Sequence, residues 1–484
     1  MSDVGPGEAR IRAYAAAIDA ELSLTAEGRA WSTWSAEAAV GRNAHEAGRD
    51  QPWPVVHFDD VSSIPFLQEI SGVEFYQLRA RLRAVDGDLF AATCAAVDGY
   101  EPYNRDLLQL GSPEFVYAEA VETASEIALA CQHGEAFERL REAARCAGGL
   151  TLHPYMGSTP GWELAKALSG ASGVPVRCVA PQPGVTDYTN HKGHVVRAAS
   201  ALLDDGVLGG APVVETRSAR TPEGLVEALC DLALRHKKVA LKMTRCASAM
   251  GNGLFEGGRI LREERGSLLR TVQEFLQAKE WIPGEEVLAM SWEDAWSSPS
   301  TQLWIPAPSV GAPVVEGVYE QLLVGAEQVF LGSIPSSLGE VWDRRLTEAS
   351  VRIGRLYQHL GYRGRCSFDF IIAGESAYLV ECNGRWGGTS SPMHLVERVF
   401  HGARPAYRAR DVVSERLVGI PFNEVLRRLD GHLFDARTGE GEFLLYNVGC
   451  LAQHGKLDVV AFGDDQASVT IALEERLPEL LGIG

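Results

Sequence analysis

Gly361-Tyr-Arg-Gly-Arg-Cys-Ser-Phe-Asp369-Phe-Ile-Ile, followed by Tyr378-Leu-Val-Glu381-Cys-Asn383-Gly-Arg385-Trp-Gly387-Gly388-Thr389, is the stretch that decides how this chain is read. Both parts carry apolar, strand-like runs. Side chains on a strand alternate between faces, so Glu381 and Asn383 share one face and Cys382 points to the other. A hairpin pairing of the two runs would set Asp369 beside them. Two carboxylates and an amide oxygen on a rigid sheet are hard ligands of the kind Mg²⁺ takes together with phosphate oxygens. The expectation is a metal site made of Asp369, Glu381 and Asn383, serving nucleotide-phosphate chemistry.

The rest of the chain sets the bounds on that reading. Its 484 residues leave room for two to four domains and a large core. A formal net charge of −19 argues against a general binder of nucleic acid or anionic membranes. Arginine far outnumbers lysine, which makes Lys192 and Lys242 stand out. The nine cysteines are scattered and form no CxxC, a pattern of free thiols in a reducing compartment. The N-terminus is polar and unlike a secretory signal, and no apolar run approaches bilayer-spanning length. These features predict a cytoplasmic protein.

Along the chain, residues 1–50 read as an Ala-rich helical extension closed by Pro52 and Pro54. Short apolar runs at Val55–Phe58, Asp88–Thr93, Phe115–Ala118, Leu150–His153 and Val174–Val179 alternate with helical stretches such as Ala120–Cys146. That alternation predicts an α/β domain with a mostly parallel sheet over 51–185. Gly157-Ser-Thr-Pro-Gly161 precedes a helix over Trp162–Leu168 and reads either as an anion-binding turn or as an ordinary strand-to-helix connection. Pro181-Gln-Pro-Gly184 marks the next boundary. Residues 186–400 carry most chemical signals, with a lid subdomain at about 190–290. Residues 401–484 read as a small α+β cap, with a helix over Glu415–Leu429 and strands near Phe443 and Leu457.

Within the central region, Val239-Ala-Leu-Lys242 is an apolar strand ending in lysine. Ser248-Ala-Met-Gly251-Asn252-Gly253 follows it closely. A lysine at a strand end gives a fixed positive charge for phosphate oxygens, and small residues let backbone amides close over them. The GxxxxGK[ST] pattern is absent. Lys192, in Asn190-His-Lys-Gly-His194, reads by itself as a loop lysine. His191 and His194 lack the partners of a zinc set. The strand ending Met290-Ser291-Trp292-Glu293-Asp294 could bond adenine through its edge and ribose through its acids. It reads equally as a buried strand with solvated ends.

Taken in order, these segments resemble the ATP-grasp superfamily, and more narrowly its subgroup with a pre-ATP-grasp N-terminal domain, the pheganomycin type of peptide ligase. The resemblance rests on Asn190-His-Lys192-Gly, Met250-Gly251-Asn252, Ser298-Pro-Ser-Thr-Gln302-Leu, Tyr319-Glu-Gln321-Leu-Leu, Gly364-Arg-Cys-Ser-Phe-Asp369-Phe and Glu381-Cys-Asn383-Gly-Arg385-Trp-Gly-Gly388-Thr389. The tail Tyr446-Asn-Val-Gly and Gly455-Lys456-Leu adds to it. It covers roughly 150–465, and more faintly 55–150. Two departures stand out: a glycine-poor phosphate loop, and Thr389-Ser390-Ser391-Pro392 where the subgroup often has a histidine before the proline.

The resemblance implies two α+β subdomains clasping ATP, preceded by a Rossmann-like pre-ATP-grasp domain and followed by a small α+β segment. It implies an ATP-dependent carboxylate–amine ligase working through an acyl phosphate, in the biosynthesis of a peptide-like natural product. The substrates would be a small carboxylic acid and an amine, with no nucleic acid or membrane partner, and a homodimer as the commonest assembly. Asp369, Glu381 and Asn383 would hold one or two Mg²⁺ ions, with Mn²⁺ as an alternative. Lys192, Lys242, Ser248, Gly251, Asn252, Met290, Ser291, Trp292, Glu293, Asp294 and Gln321 would bind ATP. Lys242 and Arg385 would act in catalysis, and Ser298, Arg385, Gly388, Thr389 and Ser390 would meet the substrate. Arg385 shares the face of Asn383 if the strand continues. Thr244–Gly258 is the candidate lid. Trp292 and Trp386 read as packing residues. No general base is evident. Alternatives are a thiol, carrier-protein or hydroxyl acceptor, or an inactive ATP-binding regulator.

Overall fold

The computed structural model describes residues 6–23, 53–65, 70–204, 206, 211–246, 251–325 and 329–484. The first sheet joins β1 (Val55–Phe58), β2 (Leu89–Ala92), β3 (Glu114–Tyr117), β4 (Leu150–Pro154) and β5 (Val176–Cys178). All pairs are parallel, in the order β3-β2-β1-β4-β5. β1, β2 and β4 are buried along their whole length, which is why they read as unbroken apolar runs rather than alternating ones. Helices Gly134–Ala147 and Thr159–Ser172 supply Leu140, Leu164 and Leu168 to the core of this domain. The Gly157–Gly161 turn is a helix cap: the Ser158 hydroxyl accepts from the Gly161 N–H at 3.3 Å. The helix expected over Ala120–Cys146 is two helices, Ile127–Ala130 and Gly134–Ala147, parted where Gly134 takes φ +61°.

The second sheet is antiparallel, in the order β6-β9-β7-β8. Its strands are β6 (Thr216–Ala219), β7 (Lys238–Met243), β8 (Asn252–Glu256) and β9 (Val287–Ser291). Helices Pro222–Ala233 and Arg265–Ala278 cover one face, burying Leu225, Leu229, Leu268 and Val272 against Val239 and Leu241.

The third sheet has eight strands, in the order β14-β13-β10-β11-β12-β15-β17-β16. They are β10 (Pro299–Ile305), β11 (Val314–Val324), β12 (Val329–Pro335), β13 (Gly364–Ala373), β14 (Ser376–Asn383), β15 (Ala406–Val413), β16 (Phe443–Tyr446) and β17 (Lys456–Gly463). The long helix Glu340–His359 packs Ile353, Leu356 and Tyr357 against Phe368, Phe370 and Leu379. The C-terminal segment mixes helices and strands as expected. Its strands complete the large sheet through the β12–β15 pairing rather than sitting on it as a cap. The helix expected over Glu415–Leu429 is a 3₁₀ turn, Glu415–Leu417, and a helix, Phe422–Arg428, because Gly419 at φ +80° and Pro421 intervene.

Helix Pro6–Leu22 is docked on this third unit. Ile11, Ala15 and Ile18 are buried in the same core as Leu346 and Ile353, and Glu8 Oε1 lies 2.8 Å from His359 Nε2. Two α+β units preceded by a parallel α/β domain match the architecture that the resemblance implies.

Candidate active site

One cleft of about 1020 Å³ is lined by residues of the second and third sheets and by connecting segments of the first domain. Its acid end is the β13–β14 hairpin, closed by a turn at Gly374, which takes φ +56°. Asp369 stands opposite Glu381, and Ser367 opposite Asn383, with a register irregularity just after Asp369. Asn383 Nδ2 donates to Asp369 Oδ2 at 3.0 Å, which leaves the amide oxygen as its donor to a cation. Cys382 faces the opposite way, into the core.

Two lysines face these acids. Lys192 Nζ lies 2.9 Å from Glu381 Oε2 and donates to the Cys246 carbonyl at 3.0 Å. Lys192 is not in a loop: it opens helix Lys192–Asp204, and its N–H donates to the Thr244 carbonyl at 3.0 Å. Gly193 hid that helix start, because glycine weakens the helical signal. Buried Val195, Ala198, Ala199 and Leu202 are the signal that could have shown it. Lys242, near the end of β7, is buried, with its ammonium 5.5 Å from the centroid of the Trp292 ring.

The charges are interdependent. Burial, and then the opposing Glu381, push the Asp369 carboxyl up to about 7. Burial also works against Glu381, but Lys192 and Lys242 outweigh it and hold its carboxyl below the usual range. Burial lowers Lys242, with Glu381 resisting. Two facing carboxylates and an amide oxygen, partly balanced by lysines, fit a hard divalent cation such as Mg²⁺. No group of three or more His, Cys, Asp or Glu able to hold a metal occurs among the described residues. His191 and His194 pack at 4.4 Å between ring centroids, and burial lowers them to about 3 and about 4.

Of the two readings of the strand that ends at Met290-Ser291-Trp292-Glu293-Asp294, the structure shows the buried one. β9 pairs with β6 on one side and β7 on the other, so Met290 and Ser291 have both ladder sides occupied. The N–H groups of Ser291 and Trp292 donate to the carbonyls of Glu215 at 2.8 Å and Lys238 at 3.0 Å. Side chains at the strand end still face the cleft, from Met290 to Asp294. Ser291 Oγ donates to Glu293 Oε1 at 2.7 Å, and Lys238 Nζ lies 2.9 Å from Asp294 Oδ1. Asn252 pairs with Lys242 and lines the cleft, whereas Gly251, beside Cys246 and Met243, is not among the lining residues. Ser248 lies outside the described residues. Of the expected lid, β8 takes Asn252–Glu256 and helix Gly257–Ile260 begins directly after it.

β14 ends at Asn383, so Arg385 does not continue its face. Instead Gly384 turns the chain, its N–H donating to Asn190 Oδ1 at 3.0 Å. Arg385 still lines the cleft, donating to the Trp386 carbonyl at 3.1 Å and to Tyr155 OH at 3.4 Å. Ser298, Gln321, Gly388 and Thr389 line it too. Ser390 does not: it is fully buried, donating to Gln302 Oε1 at 2.7 Å and accepting from the Gly387 N–H at 3.1 Å. Trp386 is packed inside, and Trp292 is on the wall. Tyr76, Arg79 and Tyr155 from the first domain were missed, and no motif marks them. Asp411, Tyr446, Lys456 and Asp458 close the far end. Of these, only Tyr446 and Lys456 fall in segments that the resemblance flagged.

No protein-family model matches the chain. The L-propargylglycine–L-glutamate ligase of Streptantibioticus cattleyicolor is 28% identical over 282 residues, covering 53% of this chain and 56% of that protein. The chain thus spans about half the length of the curated relative it matches. The structure of N5-carboxyaminoimidazole synthase from Aspergillus clavatus, in complex with ADP and 5-aminoimidazole ribonucleotide, superposes with a TM-score of 0.51 at 10% identity. The superposition covers 89% of this chain and 99% of that one. The biotin carboxylase domain of Hydrogenobacter thermophilus 2-oxoglutarate carboxylase, with MgADP, ADP and bicarbonate, gives 0.50 at 11% identity, over 84% and 90%. These likenesses show the fold, which is the ATP-grasp fold preceded by a Rossmann-like domain.

Proposed function

We propose that this protein is an ADP-forming carboxylate–amine ligase that uses ATP. One observation carries the reading. Lysines on helix Lys192–Asp204 and β7 converge on the Asp369–Glu381–Asn383 face of the large sheet, with Lys192 Nζ 2.9 Å from Glu381, in the cleft that Arg385 also lines. The similarity to a ligase that joins two amino acids supports it, as does a fold shared with structures that hold ADP.

The chemistry follows from the charges. Lys192 and Lys242 would bind phosphate oxygens of ATP, and Trp292, Glu293 and Asp294, which line the same cleft, would meet the nucleoside. Asp369, Glu381 and Asn383 would hold Mg²⁺, which, when bound, would neutralise charge on the transferring phosphoryl group. Arg385 presents a planar fork to the substrate carboxylate and sets its oxygen in line with the γ-phosphorus. That oxygen forms the new P–O bond as the bond to ADP breaks. The amine nitrogen then attacks the acyl carbon, phosphate leaves with the original carboxylate oxygen, and the proton lost from the nitrogen leaves on that phosphate. A recessed cleft protects the acyl phosphate from water.

The substrates are a small carboxylic acid and an amine, at least one of them amino-acid-like, in the making of a peptide-like metabolite. A homodimer is the assembly we expect. A cytoplasmic site is supported by nine free cysteines. The test is a matrix of acids and amines, with L-propargylglycine and L-glutamate included, scored for phosphate release, with mass spectrometry on the positives. Release that requires both an acid and an amine supports ligation. ATP binding with no ADP formed from any pair would contradict it.

A further inference from the structure

The cleft contains a second acid pair. Asp411 on β15 and Asp458 on β17 stand directly opposite in register, and both line the cleft. In the strand order, β10, β11 and β12 separate this pair from Asp369 and Glu381. Like charges directly opposite destabilise a sheet unless a cation intervenes. Lys456 answers Asp411: its Nζ lies 2.6 Å from Asp411 Oδ2 and donates to Tyr76 OH at 2.6 Å. Asp458 differs. Its Oδ2 accepts from Asn447 Nδ2 at 2.8 Å, but its Oδ1 is buried with no hydrogen-bond partner among the described residues. The residue is only 5% exposed and faces the cleft. Burial, and then Asp411, push its carboxyl well above the ordinary range. An unsatisfied buried carboxylate is costly, and a donor cation from the cleft would remove that cost.

An opposite pole lies beside it. The Arg79 guanidinium sits 4.6 Å from the Tyr76 ring centroid and 5.3 Å from that of Tyr155. The same Tyr155 ring is 5.9 Å from the Arg385 guanidinium. The wall therefore runs from Arg385 past Tyr155, Arg79 and Tyr76 to the acid pair.

We propose that Asp458, assisted by Asp411, binds the primary ammonium group of an amino-acid or short-peptide substrate at the far end of the cleft. The proposal rests on the ligase reading for the ligand's role as a substrate. In a short peptide, Arg385 meets the carboxylate that reacts and the ammonium group anchors the other end of the molecule; a single amino acid held by Asp458 occupies the acid end alone. A substrate without the amine leaves Asp458 Oδ1 unsatisfied, so the site selects by rejection as well as attraction.

The test is calorimetric titration of the full chain with L-alanine, L-valine, L-glutamate and L-alanyl-L-alanine. Each is compared with its counterpart lacking the ammonium: propionate, isovalerate, glutarate and N-propionyl-L-alanine. The expected result is that at least one ammonium probe binds about tenfold or more tighter than its counterpart, and that Asp458→Asn abolishes the preference. Whether the dipeptide or the single amino acids show it separates the two sources. Asp458→Asn removes a buried like charge, so its melting temperature should match or exceed the wild type. Asp411→Asn gives a second variant with the same expected loss. No preference for any ammonium probe, or a preference that survives in both variants, overturns the proposal. Ammonium binding that depends on Asp458 without ADP release from any acid–amine pair would sink the ligase reading alone. ADP release with unchanged probe affinities in Asp458→Asn would sink this inference alone.

Discussion

Asp369 and Glu381 face each other directly across β13 and β14, two carboxylates on one cleft-facing surface, with the Asn383 amide donating to Asp369 at 3.0 Å. This pairing fixes a pH dependence. The Asp369 carboxyl is raised from an ordinary 3.8 to about 7 by burial and Glu381. Between those values the folded chain binds more protons than the unfolded one. Its contribution to stability is therefore fully present below about pH 4 and is lost as pH rises through about 7. Mg²⁺ needs the ionised form. Thermal melts with and without MgCl₂ should show a metal-induced rise that is small at about pH 5.5 and larger at about pH 8. Asp369→Asn should flatten this difference. A metal shift of equal size at both pH values would contradict the assignment.

Lys192 ties the helix it opens to β14 through Glu381. Lys192→Met leaves Glu381, itself only partly buried, without that charge. We expect a loss of about 1–3 kcal/mol in urea unfolding, between the values for exposed and fully buried pairs. The Michaelis constant for ATP should rise at least about tenfold, since a phosphate contact is lost as well. An unchanged constant would remove Lys192 from the nucleotide site.

Gly384 is the turn between Asn383 and Arg385. A Cβ there would fall 2.3 Å from Thr189 Oγ1 and 2.9 Å from Asn190 Nδ2. Gly384→Ala should therefore cost about 1–3 kcal/mol and displace Arg385, lowering kcat more than it alters ATP affinity. Stability and kinetics measured on the same preparation would check both.

The hairpin was legible because period-two alternation fixes which side chains share a face, and Asp369, Glu381 and Asn383 fall together as that alternation requires. The parallel strands were legible because burial on both faces leaves continuous apolar runs. What could not be read came from distant parts of the chain. Arg79 and Tyr155 reach the cleft from the first domain, and Asp458 from the last strand but one in the large sheet's order, and nothing local in their sequence marks a shared wall. The two readings of the strand at Met290 and Ser291, free edge or buried strand, could not be separated for a related reason: strand order is a property of the sheet, and β9 lies inside it. Arg385 left the strand face because Gly384 ends the strand, yet the turn still delivers it to the cleft.

The helix Pro6–Leu22 is part of the core of the third unit, through Ile11, Ala15 and Ile18. Ile11→Ala should cost about 2–4 kcal/mol in denaturant unfolding while leaving kcat for ADP formation unchanged, since the helix is not among the cleft-lining residues. An effect on kcat without loss of stability would give this helix a functional part.

The central claim, a carboxylate activated as an acyl phosphate in this cleft, is tested most directly by isotope transfer. A carboxylic acid substrate labelled with ¹⁸O in its carboxylate is turned over with ATP, Mg²⁺ and an amine, and the released phosphate is weighed by mass spectrometry. Each inorganic phosphate should carry one ¹⁸O, ADP should form in equal amount to the amide, and Glu381→Gln should lose both products. Label recovered in AMP, unlabelled phosphate, or near-full turnover by Glu381→Gln would contradict the claim.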